Sequence, residues 1–499
     1  MTRITIDPIT RLEGHGKIEI FLDEEGNVAN SYFQIPELRG FERFCVGRPV
    51  EEMPLLTNRI CGVCPEAHHM AAAKAADAVY HVDPPSAAKK LRELLYSAFY
   101  VTDHTTHFYA LAGPDFVMGP DAPVAERNIL GVIHKVGLEI GGKVIQARKY
   151  GHQVVEMIGG RKIHPCTSIP GGLTKSITEE ERLEIEKMGR WAVEFAQFSL
   201  KLFGDIVLGN KAYVDLILSD LFTHETYYVG TVDEANRVNF YDGLVSVVSP
   251  DGERVAKYPP SEYTDWIAEH VEPWTYLKFP YLQKIGWKGF KDGKDSGVYC
   301  ATPLSRLNAA DGMATPLAQA EYERFYDTLA PRGASDAVGS GKRVVHHRLA
   351  THWARLVELL YAAERWVELA TDPEITSDRV RAVPTEKPTE GVGCVEAPRG
   401  ILTHHYWTDE RGILTGVNLI VGTTNNYAPI SMSIKKAAEG LIRQGVVVTE
   451  GLLNQIEMAF RAYDPCFGCA THTLPGQMPL EVTIRDAAGE PIQVLRQYC

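Results

Sequence analysis

No run of about 18 apolar residues occurs in this chain, which excludes a membrane-spanning helix. Clusters of Lys and Arg are also missing and the formal net charge is -13, so a nucleic-acid-binding surface is excluded. The opening residues, Met1-Thr2-Arg3-Ile4-Thr5-Ile6-Asp7-Pro8, hold no apolar signal core, so the chain has no export address of its own and the cytoplasm is the expected compartment. There is no low-complexity tract, internal repeat or linker-like stretch. Cysteine is scarce: nine in 499 residues, an odd number spread widely, which is not a secreted disulfide framework. The rest, 45% hydrophobic and 23% charged, is the composition of a globular protein long enough to bury a large core.

What is present is concentrated at the two ends. Four of the nine cysteines form two CxxC pairs, Cys61-Gly62-Val63-Cys64 and Cys466-Phe467-Gly468-Cys469. Each has a histidine at a short offset, His68 and His472, and an ionisable neighbour, Arg59 before the first pair and Asp464-Pro465 before the second. A CxxC turn brings two sulfurs close enough to chelate one metal, and two turns supply a full soft-ligand set. The halves are separated by most of the chain, so the site forms only when nearly everything else has folded. That is more typical of a catalytic centre than of a structural staple, and it predicts one interwoven domain. Two other readings of the pairs remain open on spacing alone: a closed structural zinc site, and a redox pair cycling to a disulfide. The ionisable neighbours argue against both. The five other cysteines, Cys45, Cys166, Cys300, Cys394 and Cys499, read as buried small hydrophobes or inert thiols. They leave no set for an iron–sulfur cluster, so electrons released at the site would have to leave through another protein.

Patterning predicts an α+β, mainly helical fold: a central bundle of long helices with small antiparallel sheets at its periphery. Alternation over Arg3–Ile6, 16–22 and 28–35 predicts a hairpin or meander. Helical periodicity covers about 51–58, 65–80, 84–111, 125–158, 178–203 and 346–371. Asp83-Pro84-Pro85-Ser86 and Ser176-Ile177-Thr178-Glu179-Glu180-Glu181 read as helix starts. Residues 210–345 read as an irregular insertion with short strands at 237–241 and 244–248. A strand-rich stretch over 400–420, one or two helices over 430–461, and a hairpin pattern beyond Thr473 complete the chain.

The motif Arg59-x-Cys61-Gly62-x-Cys64-x-x-x-His68, with Asp464-Pro465-Cys466-x-x-Cys469-x-x-His472, resembles the large, catalytic subunit of nickel–iron hydrogenases. Further elements agree in order: Arg11-Leu12-Glu13-Gly14-His15, Arg39-Gly40-Phe41-Glu42, Asp103-His104 with His107-Phe108-Tyr109, and Glu396-Ala397-Pro398-Arg399-Gly400. The Gly113–Pro120 segment is most similar to the cytoplasmic, viologen-reducing branch associated with heterodisulfide reductase.

This resemblance implies the hydrogenase large-subunit fold and reversible cleavage of H2 into protons and electrons. It implies that all four cysteines bind nickel, Cys61 and Cys466 as terminal ligands, Cys64 and Cys469 bridging to an iron that carries CO and CN ligands. Glu13 would be the proton exit. Arg399, after Pro398, would stand over the metal pair with Asp103 and Asp464 orienting it. His68 would hydrogen-bond a bridging thiolate. Thr423 would donate to cyanide, although Gly422 and Asn425 depart from the pattern around it. Glu42 and His472 would form a second site, for magnesium or iron. Partners implied are an iron–sulfur small subunit, further electron-transfer subunits such as heterodisulfide reductase or a flavoprotein, and a maturation endopeptidase that cuts between His472 and Thr473. The catalytic domain would then be 1–472 and the removed extension 473–499. A non-catalytic rival, the homologous subunit of respiratory complex I, lacks the cysteine pairs.

Overall fold

The computed structural model describes residues 2–330, 343–472, 480–485 and 491–497. The N-terminal alternation forms a meander of β1 (Arg3–Ile6), β2 (Lys17–Leu22) and β3 (Val28–Gln34), with Ile18 paired to both Ile6 and Phe33. Its buried face, Ile18, Ile20 and Phe33, joins the main core. Five long helices follow: α1 (Pro65–Val79), α2 (Ser86–Thr106), α3 (Leu138–Gly159), α4 (Glu179–Phe203) and α5 (Thr351–Ala370). Helices α2 to α5 pack against one another as the central bundle. Helix α4 begins with a capping box in which Thr178 and Glu181 exchange side-chain and backbone hydrogen bonds. Helix α5 lies at the centre, buried on all sides from Thr351 to Glu364, as expected of a helix surrounded by others.

The middle of the chain supplies a sheet of β4 (Tyr227–Val232), β5 (Leu244–Val248), β6 (Arg254–Tyr258) and β7 (Tyr299–Cys300) in the order β7-β4-β5-β6. A second sheet is the meander β8 (Glu390–Ala397), β9 (Gly400–Thr408) and β10 (Leu414–Ile420). Helices α6 (Tyr427–Leu441) and α7 (Glu450–Arg461) then lead to the second CxxC. The tail strands β11 (Leu480–Arg485) and β12 (Pro491–Gln497) pair antiparallel as the hairpin pattern predicts. The junction after His472, where the cut is expected, lies outside the described residues.

Several boundaries differ from expectation, each for a local reason. The 125–158 helix is two, Ile129–Val136 and α3, broken at Gly137, whose φ of 94° is outside the helical range. The 51–58 helix is a series of short turns, Val50–Glu52, Met53–Leu56 and Thr57–Ile60. Residues 237–241 are not a strand; they make two isolated bridges, Arg237 to Gly312 and Val238 to Val232. The 400–420 sheet starts earlier, at Glu390, because the two glycines of β8 weaken its alternation. One ladder, β7 with β4, is parallel, so the sheets are not all antiparallel.

The β8 glycines have a packing role. Helix α1 is rich in alanine, and its backbone lies directly on β8, so that a Cβ at Gly393 would fall inside the contact shells of Ala71 O and Ala75 N. This close seat holds the middle and end of α1, the helix that begins directly after the first CxxC. Gly393→Ala is expected to cost roughly 1–3 kcal/mol by overpacking, read as a lowered unfolding midpoint; an unchanged midpoint would contradict the close packing. Among the described residues, no helix is long and apolar enough to cross a membrane.

Candidate metal centre

The first CxxC is the corner between the turn Thr57–Ile60 and α1, which starts with Pro65 at its first position, where a missing N–H costs nothing. The amides of Val63 and Cys64 donate to Cys61 Sγ at 3.2 and 2.9 Å. The second CxxC follows Asp464, which is held at φ 56°. There the chain pairs with Glu13: the Glu13 amide donates to Pro465 O at 3.3 Å and the Phe467 amide to Glu13 O at 3.0 Å. Arg39 joins the two halves, donating to the carbonyl of Ile60 and, at 3.0 Å, to that of Gly468.

The four sulfurs lie within 4.8 Å of one another. Cys61 is 3.6 Å from Cys466 and Cys64 is 3.6 Å from Cys469, while Cys466 and Cys469 meet in disulfide contact. None of the four is more than 4% exposed. The hydrogen bond to Cys61, then burial, push the Cys64 thiol well above its ordinary value, with Arg399 pulling the other way. Four reduced thiols packed this tightly cannot all ionise without a strong cation among them.

Around the sulfurs stands a buried shell of charge. Glu13 Oε2 lies 3.0 Å from Cys466 Sγ and accepts the Gly468 amide at 3.0 Å. Burial raises the Glu13 carboxyl, opposed by that amide and by Arg399. A Cβ at Gly468 would stand 2.7 Å from Glu13 Oε1, so glycine there makes room for the carboxylate. Arg399 Nη1 donates to Asp103 Oδ2 at 2.9 Å, and its Nη2 lies 3.1 Å from Asp464 Oδ2. Burial acts against the Arg399 charge, but the two aspartates outweigh it and hold the guanidinium protonated. His68 is fully buried, its Nδ1 3.1 Å from His404 Nε2. Thr423 Oγ1 accepts the Cys466 amide at 2.9 Å.

The donor set fits a soft or borderline metal. Several buried polar atoms have no partner among the described residues: His68 Nε2, Asp103 Oδ1 and Arg399 Nε. Buried polar groups are seldom left so.

Comparison with known proteins agrees. A model of the nickel-dependent hydrogenase family matches residues 39–129 and 319–472, and a HoxL-like model matches residues 3–38. The iron-sulfur subunit of the F420-non-reducing hydrogenase of Archaeoglobus profundus is 48% identical over 498 residues, covering 100% of each chain. The chain belongs to the nickel-dependent hydrogenase family. The beta subunit of the NAD-reducing hydrogenase HoxS of Cupriavidus necator is 38% identical, covering 98% of both chains. Among solved structures, an NAD+-reducing [NiFe]-hydrogenase in the H2-reduced state superposes with a TM-score of 0.86 at 35% identity, covering 95% of this chain and 100% of that one. The fold is that of a nickel–iron hydrogenase large subunit, and the enzyme is an oxidoreductase acting on H2.

Within this hydrogenase the structure brings Glu13, Asp103, Arg399, Asp464 and Thr423 to the thiolates or to one another. Pro398 contributes its carbonyl, which accepts from Arg306 and Arg355 at 3.2 and 3.3 Å. Glu42 and His472 are both buried, but among the described residues the four cysteines are the one group of three or more ligand side chains close enough to hold a metal. Glu42 Oε1 accepts the Leu419 amide at 2.9 Å, and burial pushes its carboxyl up to about 7 against the pull of Lys278. His472 Nε2 meets the Cys469 carbonyl.

Sequence reasoning missed Arg39 as the clamp, His404 behind His68, and the group Arg306, Arg355 and Glu358. One signal was there for the last. Arg355 and Glu358 interrupt the otherwise apolar heart of α5, Trp353-Ala354-Arg355-Leu356-Val357-Glu358-Leu359-Leu360, where charges stand out.

Proposed function

We propose that Cys61, Cys64, Cys466 and Cys469 hold the nickel–iron centre at which this hydrogenase splits H2, and that Glu13 carries the proton away. The observation that carries this reading is the contact of one half-buried carboxylate, Glu13, with a sulfur of a four-cysteine cluster assembled from both ends of the chain. When bound, the centre polarises H2 and takes up its electrons, its iron bearing CO and CN ligands. The chain's residues do the rest. Glu13 is within proton-transfer distance of Cys466 Sγ and accepts the Gly468 amide, which fixes its direction. Arg399 stays protonated between its two aspartates, so it positions and stabilises charge and does not act as the base. Thr423 uses its oxygen to hold Cys466, and its hydroxyl hydrogen would remain to donate to a ligand of the bound iron. His68, with Nε2 free, is assigned to a bridging thiolate. Glu42 and His472 are assigned to a second cation, magnesium or iron, whose charge would ionise the Glu42 carboxyl.

The test is elemental analysis of enzyme purified with H2-oxidising activity. Nickel and iron together are expected; zinc alone would overturn the reading in favour of a structural site.

We infer that electrons leave through an iron–sulfur small subunit, then through heterodisulfide reductase or a flavoprotein. Cys45, Cys300 and Cys394 are buried apart from any ligand group among the described residues. The relatives are each named as one subunit of their hydrogenase. The match to F420-non-reducing enzymes favours the viologen-reducing branch, in the cytoplasm. We also assign residues 1–472 to the catalytic domain and 473–499 to an extension removed by an endopeptidase once metal is in place. While attached, the extension would let the Cys466–Cys469 segment open to accept metal; its loss would lock the segment in the closed arrangement that Arg39 and Glu13 hold in this structure. Intact mass of active enzyme from its native host checks this: a chain ending at His472 is expected, and full activity in one ending at Cys499 contradicts it.

A further inference from the structure

The charged groups behind Arg399 extend well beyond its two aspartates and return to it. Arg355, on the central helix α5, reaches both ends of the Arg399 assembly. Its Nη1 lies 3.3 Å from Asp464 Oδ2, which holds the Arg399 head. The same nitrogen donates at 3.3 Å to the carbonyl of Pro398, the residue before Arg399, and at 3.3 Å to His104 Nδ1. Because Nδ1 of His104 accepts, its proton resides on Nε2, which donates to Glu358 Oε2 at 2.9 Å. Arg306 grips Glu358 with two nitrogens, at 2.5 and 2.7 Å, and donates to the carbonyls of Ala397 and Pro398 at 3.0 and 3.2 Å. The contacts thus close on the backbone that carries Arg399. His104, Arg306, Arg355 and Glu358 are all fully buried.

Stability is a weak reason for this arrangement. Burying ion pairs costs much of what their attraction returns, and apolar side chains of similar volume often serve as well. Arg355 is moreover under-used, with Nε and Nη2 lacking partners among the described residues. What the loop does supply is placement: it fixes a guanidinium head and its backbone relative to each other.

We propose that Arg355 is a positioning residue for hydrogen activation, tying Asp464 to the backbone before Arg399 so that this guanidinium stays fixed beside the thiolates. The inference rests on the role given to Arg399 above. Its test compares Arg355→Lys and Arg399→Lys in the complete metal-loaded complex, alongside Asp464→Asn and the Arg355→Lys/Asp464→Asn pair. Lysine keeps the charge of Arg355, but its shorter stem draws that charge back from the point where Nη1 meets all three acceptors. Expected for Arg355→Lys are wild-type nickel and iron content, an unchanged KM for H2 and a kcat lower by roughly ten- to a hundredfold, the scale of a small misplacement at a reacting centre. Because Arg355 acts through Asp464, the double variant should be no slower than Asp464→Asn alone. Wild-type kcat with a lowered unfolding midpoint would leave Arg355 a structural residue and overturn the proposal, as would losses that multiply in the double variant. Should Arg355→Lys fail to load metal, His104→Gln decides. It removes the imidazole that steadies Arg355 and should show the same kcat-only loss, whereas wild-type turnover there overturns the proposal. If Arg399→Lys is itself fully active, the reading of the centre fails. If only Arg399→Lys is impaired, this inference alone fails.

Discussion

Cys466→Ala is expected to abolish H2 oxidation and to leave the protein without stoichiometric nickel. Cys466 is buried, 3.6 Å from Cys61 and 3.0 Å from Glu13 Oε2, so one substitution removes a proposed ligand and the first contact of the proposed proton path. No nearby group can substitute. The cysteines outside the cluster belong to no other ligand group among the described residues, and hard oxygen ligands such as Glu13 are poor replacements for a thiolate on a soft or borderline metal. The measurement is nickel per chain by elemental analysis together with H2-dependent dye reduction. One nickel per chain with normal turnover would refute the four-thiolate site. Cys61, Cys64 and Cys469 are expected to behave alike, since each faces a partner sulfur across the cluster.

The second large effect is expected from Glu13→Gln. Glutamine keeps the shape of the side chain and can still accept the Gly468 amide, so metal content and folding should be close to wild type. What it cannot do is take a proton and release it. A positioned acid–base group contributes on the order of 10²–10⁴ in rate, so exchange between D2 and water should fall by at least about a hundredfold. Burial raises the affinity of the carboxyl for protons, while Gly468 and Arg399 oppose that rise. Exchange at the wild-type rate would remove Glu13 from the proton path. Loss of nickel in this variant would instead make Glu13 a structural support of the cluster.

Some parts of this molecule were legible from local chemistry and others were not. The long helices α1, α2, α4 and α5 announce themselves through periodicity and, for α4, through the capping residues Thr178 and Glu181. The break at Gly137 was harder to see, because the flanking residues Ile129–Val136 and Leu138–Gly159 keep a helical period on both sides. Strand β8 was missed because Gly391 and Gly393 answer to the backbone of α1 and not to the pleat of their own sheet. The cluster of four cysteines was visible as two short motifs, and the family resemblance named Glu13, Asp103, Arg399 and Asp464 beside it.

Residue identity and spacing were enough to point to a soft-ligand cluster made from two short cysteine pairs, and the family resemblance placed a carboxylate and an arginine beside it. These are properties of short segments, and short segments carry them unaided. The tertiary structure alone decided which groups support the centre. Arg39 meets Ile60 and Gly468, and Arg355 meets Asp464 and Pro398, across separations of 21 to 429 residues. Such contacts leave no periodic trace, because a guanidinium on a buried helix is recognisable as a support only when the carbonyls and carboxylates it satisfies have been brought to it by the fold.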